Sequence, residues 1–127
     1  MQQEIFPYLF SMAREDHSAI VLCNLEHKII YMNPAAAERY AKSGGQHLVG
    51  KSLLDCHNDK SRELIARVLA WFRKSKENNR VYTFYNEKEN KDVYMIALRD
   101  FQGELIGYYE KHEYRNRETM KLYDMEM

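Results

Sequence analysis

The chain has 127 residues, of which 45% are hydrophobic and 30% charged, and its 19 basic residues balance its 19 acidic ones. This composition is typical of one globular domain and argues against a disordered chain and against a basic nucleic-acid-binding surface. The first residues have no basic start, and no run of about 18 apolar residues occurs, so we expect neither secretion nor membrane insertion.

The two cysteines, Cys23 and Cys56, lie far apart and form no CxxC pair, which argues against a zinc knuckle and against a dithiol redox motif. We therefore expect a cytoplasmic protein with free thiols and no dedicated metal site.

The first third of the chain predicts a helix followed by a hairpin. Apolar residues recur at helical spacing from Gln3 to Arg14, with Pro7 placed in the first turn. The short apolar runs from Ala19 to Cys23 and from Lys28 to Met32 are joined by a polar link, which is typical of a buried hairpin.

Two helices are expected next. Asn33 can accept a hydrogen bond from a first-turn amide and Pro34 needs no amide there, so the pair predicts a helix to about Ala41, before two glycines. An amphipathic helix from about Lys60 to Lys74 follows, with Asn58 or Asp59 as its cap.

The last third predicts three strands joined by hairpin turns, from Arg80 to Tyr85, from Asp92 to Arg99 and from Glu104 to about Glu113. Two strands, several helices and then three strands indicate an α+β fold, in which helices pack on one face of a five-stranded antiparallel sheet. We divide the chain into an N-terminal helix at residues 1–17, a domain at 18–113 and a tail at 114–127.

A family resemblance rests on four motifs. These are the first hairpin, YMNPAAAERY at 31–40, LVGKSL at 48–53 and RDFQGELIG at 99–107. With this order of elements, the chain resembles a PAS domain over residues 18–113.

A narrower resemblance depends on the segment that precedes the amphipathic helix. It is similar to the PAS module of bacterial DUF438 proteins, which accompanies hemerythrin-like domains. In that group a Cys-His-Pro-Pro-Lys-Ser stretch matches Cys56, His57, Lys60 and Ser61, whereas 58–59 here are Asn and Asp in place of the prolines.

The resemblance implies a small cytoplasmic sensory or interaction module without enzymatic activity. It would bind a small ligand or a protein partner and signal by altered packing, as a homodimer or with a signalling protein, without nucleic acid or membrane. Alternatives are a heme sensor and a ligand-free dimerisation module. An enzyme of the ketosteroid-isomerase type is disfavoured because its helices mostly precede its sheet.

The cofactor stays unassigned by sequence. A flavin photosensor is disfavoured because its reactive thiol follows the glycine sooner than Cys56 follows Gly50, and its glutamine is missing. Heme stays open, since either His57 or Cys56 is a sufficient axial ligand. The alternative for this pair is a corner between helices, with the imidazole hydrogen-bonded and the thiol acting as a small hydrophobe.

We predict that a ligand pocket is formed by the Cys-His pair, one stripe of the amphipathic helix and the common face of the third strand. The stripe has ordinary core packing as its alternative. The predicted ligand-binding residues are Cys56, His57, Ser61, Leu64, Val68, Phe72, Tyr82 and Phe84.

Overall fold

The computed structural model describes residues 2–125 and has the predicted α+β architecture, an antiparallel five-stranded sheet with helices packed on it. The strand order is β2-β1-β5-β4-β3. The helices and strands are α1 Gln2–Glu15, β1 Val21–Asn24, β2 Ile29–Met32, α2 Pro34–Arg39, α3 Asp59–Lys74, β3 Arg80–Asn86, β4 Lys91–Arg99 and β5 Leu105–Tyr114. Short 3-10 helices at Ala41–Ser43, Gly45–Leu48 and Leu53–Cys56 connect α2 to α3.

The cap of α2 also fastens α1 to the domain. Asn33 is fully buried, and its Oδ1 accepts hydrogen bonds from the amides of Ala36 and Ile20, each at 2.9 Å. The predicted N-cap is thus confirmed. Its Nδ2 donates to carbonyl oxygens at the end of α1 and just beyond, those of Ala13, Asp16 and Ser18.

Helix α3 is held at both ends. Asn58 accepts a hydrogen bond from the Ser61 amide at 2.8 Å, as expected of an N-cap. At the other end the Arg99 guanidinium of β4 donates to the carbonyl oxygen of Phe72, in the last turn that a helix leaves without internal donors, and to those of Ser75 and Asn78 just beyond the helix.

One sheet face, here called the inner face, carries the core. Register pairs Cys23 of β1 with Tyr108 of β5, and Met95 of β4 with Glu110, so alternation places these side chains on the same side. Cys23, Met95 and Tyr108 pack there with Ile65, Leu69 and Phe72 of α3. The opposite, outer face meets α1, where the Phe10 ring lies edge-on to Tyr31.

A bulge in β3 corrects one prediction. The register moves from Tyr82 opposite Tyr94 to Phe84 opposite Val93, and the extra residue, Thr83, turns the strand. Tyr82 and Phe84 therefore point to opposite faces. The prediction that they share an interior face is wrong, and both rings are exposed, by 54% and 57%.

Candidate functional site

A cavity of about 660 Å³ lies between the inner face and the helices. Its walls are mostly apolar and come from β1, β2, β4, α3 and the 3-10 helices. Among the wall residues are Val21, Ile29, Met32, Leu48, Leu53, Ile65 and Met95. A volume of this size, with apolar walls and a few polar groups, is typical of a site for a small organic molecule.

The sheet contributes three polar side chains, Cys23, Tyr108 and Glu110, here called the cavity floor. Burial raises the pKa of the Cys23 thiol to about 11 and raises that of the Tyr108 phenol further above its ordinary value. Both groups are therefore neutral near pH 7, and they offer hydrogen bonds rather than a nucleophile.

The Tyr108 hydroxyl is held by the turn between β1 and β2. Its oxygen lies 2.9 Å from Nδ1 of His27. Burial lowers the pKa of this imidazole, so the pair is a hydrogen bond between two neutral groups. It joins the centre of β5 to the first hairpin and fixes the phenol at the floor.

Glu110 places a carboxylate on the floor. Its side chain is 41% exposed, and Oε1 lies 3.3 Å from Nε2 of His112, two residues further along β5. The His112 side chain is 4% exposed, and its buried Nδ1 has no hydrogen-bond partner among residues 2–125.

Four residues form the cavity rim: Lys51, Asp55, Cys56 and His57. The His57 Nδ1 lies 2.8 Å from the carbonyl oxygen of Leu53, so this nitrogen carries the proton and donates. Nε2 is then the nitrogen with a free lone pair. The exposed Cys56 thiol donates to the same carbonyl oxygen at 3.2 Å and lies 3.5 Å from His57 Nδ1.

The structure brings only Cys56 and His57, among the predicted ligand-binding residues, to the cavity. The other helical ones lie elsewhere: Leu64 is 46% exposed, Phe72 is buried in the core, Val68 packs beside that core, and Ser61 lies in the first turn of α3. The reason is helix phase, because Ile65 rather than Leu64 reaches the cavity.

Tyr82 and Phe84 also lie away from the cavity, on the edge strand β3. Tyr82 donates its hydroxyl proton to Asp92 at 2.7 Å on the outer face. The predicted ligand-binding residues did not include the cavity floor. The sequence signal for it was the alternation of side chains along β5, which places Tyr108, Glu110 and His112 on one side of the sheet.

A family model described as PAS domain matches residues 17–110. The chain belongs to the PAS domain family. Domains of this family are sensory modules in signalling proteins and are typically not catalytic. No curated protein matches this chain.

Solved structures support the same fold. The PAS domain of a protein from Colwellia psychrerythraea is 13% identical, with a TM-score of 0.63 over 86% of this chain and 95% of that chain. A sensory box sensor histidine kinase from Vibrio cholerae is 14% identical, with a TM-score of 0.53 over 88% and 96%. The Aer2 receptor from Vibrio cholerae, a dual PAS-heme oxygen sensor, is 21% identical, with a TM-score of 0.51 over 74% and 90%. At these identities the likeness concerns the fold.

Among the helices between residues 2 and 125, none combines the length and apolar character that a membrane-spanning segment needs. Within the same stretch, no three His, Cys, Asp or Glu side chains gather in a cluster suited to a metal ion.

Proposed function

We propose that this PAS domain is a sensory module that binds a small organic ligand in the cavity and signals through altered packing. The observation that carries the proposal is the cavity of about 660 Å³, with its apolar walls and the polar floor of Cys23, Tyr108 and Glu110. Apolar walls supply binding free energy, and the few polar groups select the ligand's orientation. The module itself carries out no reaction.

A route from the cavity to α1 supports the signalling part. Tyr40 and Ser43 line the cavity directly after α2. Asn33, at the start of α2, donates to the carbonyl oxygen of Ala13 in α1 and to those of Asp16 and Ser18 just after it. A ligand that shifts Tyr40 would therefore move α2 and, through Asn33, change how α1 is held.

Helix α1 is the surface through which we propose that the module meets its partner, either a second copy or a signalling protein. Its large apolar side chains are mostly exposed: Ile5, Phe6, Tyr8, Leu9 and Met12. An apolar surface of this kind is typical of an interaction site. Light scattering with and without ligand measures whether the oligomeric state follows occupancy.

Ligand binding is tested by filling the cavity. Val21 lines it from β1, whereas Val81 of β3 is equally half-buried in the core but lies outside it. We expect Val21→Phe to abolish a ligand seen by native mass spectrometry, and Val81→Phe to retain it. If both variants fold and keep the same bound mass, the cavity is not the binding site.

A heme sensor is the second candidate, favoured by the free Nε2 of His57 and the neighbouring Cys56 thiol at the rim. We include in this proposal the narrower similarity to DUF438 PAS modules, which rests in part on Cys56 and His57. An absorption spectrum after purification with added hemin decides the matter. A Soret band that His57→Ala or Cys56→Ala removes supports heme, and its absence leaves the small organic ligand.

A further inference from the structure

We propose that the ligand is a protonated organic amine, whose ammonium group binds the Glu110 carboxylate while its apolar part packs against the cavity walls. This inference rests on the proposed ligand-binding function and names the chemical class of the ligand. It depends on the charge of the cavity floor, on what surrounds that charge and on the apolar character of the walls.

Glu110 directs its charge at the cavity. Register places it opposite Met95 on the inner face, beside Tyr108, and it lines the cavity with both. Its negative charge adds to burial in raising the pKa of Cys23, Tyr40 and Tyr108. Both the floor and Tyr40, which lies across the cavity at the end of α2, are therefore within reach of this one carboxylate.

No lysine or arginine pairs with Glu110 within residues 2–125. Its hydrogen-bond partner there is His112 Nε2 at 3.3 Å, through Oε1 alone. The buried Lys91 ammonium lies on the same face and interacts with the Glu110 charge at longer range, but its ion pair, at 3.5 Å, is with Glu89. Arg39 also pairs with Glu89, at 2.6 Å.

The contact with His112 leaves part of the carboxylate free. Among residues 2–125, His112 Nε2 meets Oε1 alone, and the buried Nδ1 of His112 has no hydrogen-bond partner. Glu110 Oε2 therefore remains available to the ammonium group of a ligand.

The charged side chains at the rim do not decide whether the cavity favours a cation or an anion. Lys51 and Asp55 are exposed, opposite in charge and screened by water. Among the residues that line the cavity inside the rim, Glu110 is the charged one, so its carboxylate favours a cation there. An anionic ligand would be repelled there, whereas an ammonium group gains a charge-assisted hydrogen bond.

The experiment compares ligands that differ only in their head group. Hexylamine, hexanol and hexanoate form one series, and the phenylbutyl amine, alcohol and carboxylate form another. Each is titrated into the protein by calorimetry and by amide NMR. We expect the amine in at least one series to bind about tenfold or more tightly than its alcohol, the ratio of one charge-assisted hydrogen bond, and the carboxylate to bind weakest.

Two variants locate the effect. Glu110→Gln should reduce amine affinity about tenfold and leave alcohol affinity within about twofold. Glu113→Gln changes a carboxylate on the outer face of the same strand and should alter neither. The wild-type head-group comparison stands without any variant, so poor folding of Glu110→Gln would not remove the test.

Failure of the amine inference can be told apart from failure of the proposed ligand-binding function. If alcohols and amines bind equally, if carboxylates bind best, or if Glu110→Gln leaves amine affinity unchanged, the amine inference is wrong and ligand binding in the cavity stands. If none of the six compounds shifts the amide signals of cavity residues, both the amine inference and the proposed ligand-binding function are overturned.

Discussion

Replacing Asn33 should release α1 from the domain. Its Oδ1 accepts two amide hydrogen bonds, and its Nδ2 donates to three carbonyl oxygens from a fully buried position. Asn33→Ala removes the α2 cap, which is worth about 1 kcal/mol. It also leaves the half-buried Ile20 amide without its acceptor and the three carbonyl oxygens without their donor, at about 1 kcal/mol or more for each of these two losses. We expect a loss of about 3 kcal/mol in the free energy of unfolding.

Asn33→Asp separates the hydrogen bonds that the Asn33 side chain accepts from those that it donates. The carboxylate still accepts from Ala36 and Ile20, so α2 keeps its cap, but it now faces the carbonyl oxygens of Ala13, Asp16 and Ser18 with no proton to donate. We expect those oxygens to repel the carboxylate and so to raise the pKa of the introduced carboxyl above its ordinary value. Stability should therefore be greatest at acid pH and fall as pH rises through that raised pKa.

Urea denaturation measures the stability loss, and hydrogen exchange measures the protection of α1 amides. Asn58→Asp is the matched control, because Asn58 is an exposed N-cap that aspartate replaces well. A loss below about 1 kcal/mol for Asn33→Ala, or equal α1 protection in the Asp variant and the wild type at neutral pH, would refute the coupling of α1 through Asn33.

Three other predictions concern stability and thiol reactivity. Arg99→Met should cost about 2–4 kcal/mol in urea denaturation, because the carbonyl oxygens of Phe72 and Asn78 lose their donor and that of Ser75 keeps only the Asn78 amide; a cost under about 1 kcal/mol would contradict it. Gly107→Ala should lower the unfolding midpoint sharply, since an added Cβ would collide with the Cys23 carbonyl oxygen; an unchanged midpoint would mean that β1 and β5 are not this close. At pH 8 a thiol reagent should label Cys56 rapidly and Cys23 only on unfolding, because with a pKa of about 11 roughly one in a thousand Cys23 thiols is ionised; two rapid thiols would show that Cys23 is accessible.

The sequence predicted the architecture because its signals are local. The caps at Asn33 and Asn58 and the hairpin composition around Gly103 each depend on a few adjacent residues, and the structure has them all. Gly103 adopts a φ of 83°, the left-handed conformation that its turn needs. These elements, taken in order, were sufficient for the fold.

The candidate site depends on information that is not local. The apolar face of α3 is broad enough for either Leu64 or Ile65 to meet the sheet, and only packing selects Ile65. The bulge at Thr83 moves Phe84 to the other face, although nothing in the alternation of β3 marks it. The packing of the helices against the sheet decides which side chains line a cavity, so the lining follows from tertiary structure alone.

Which side of β5 faces the core connects the fold with the proposed function. The strand carries polar side chains in both phases, with Glu110 and His112 in one and Lys111 and Glu113 in the other, so alternation by itself assigns neither phase to the core. Pairing with Met95 settles it and places Glu110 on the inner face. A carboxylate on the core side of a sheet is costly unless water or a partner meets it. The Glu110 side chain is 41% exposed, so solvent meets it. The proposed amine would replace that solvent with a direct charge-assisted hydrogen bond, and the charge that makes β5 a poor core strand would then select the ligand.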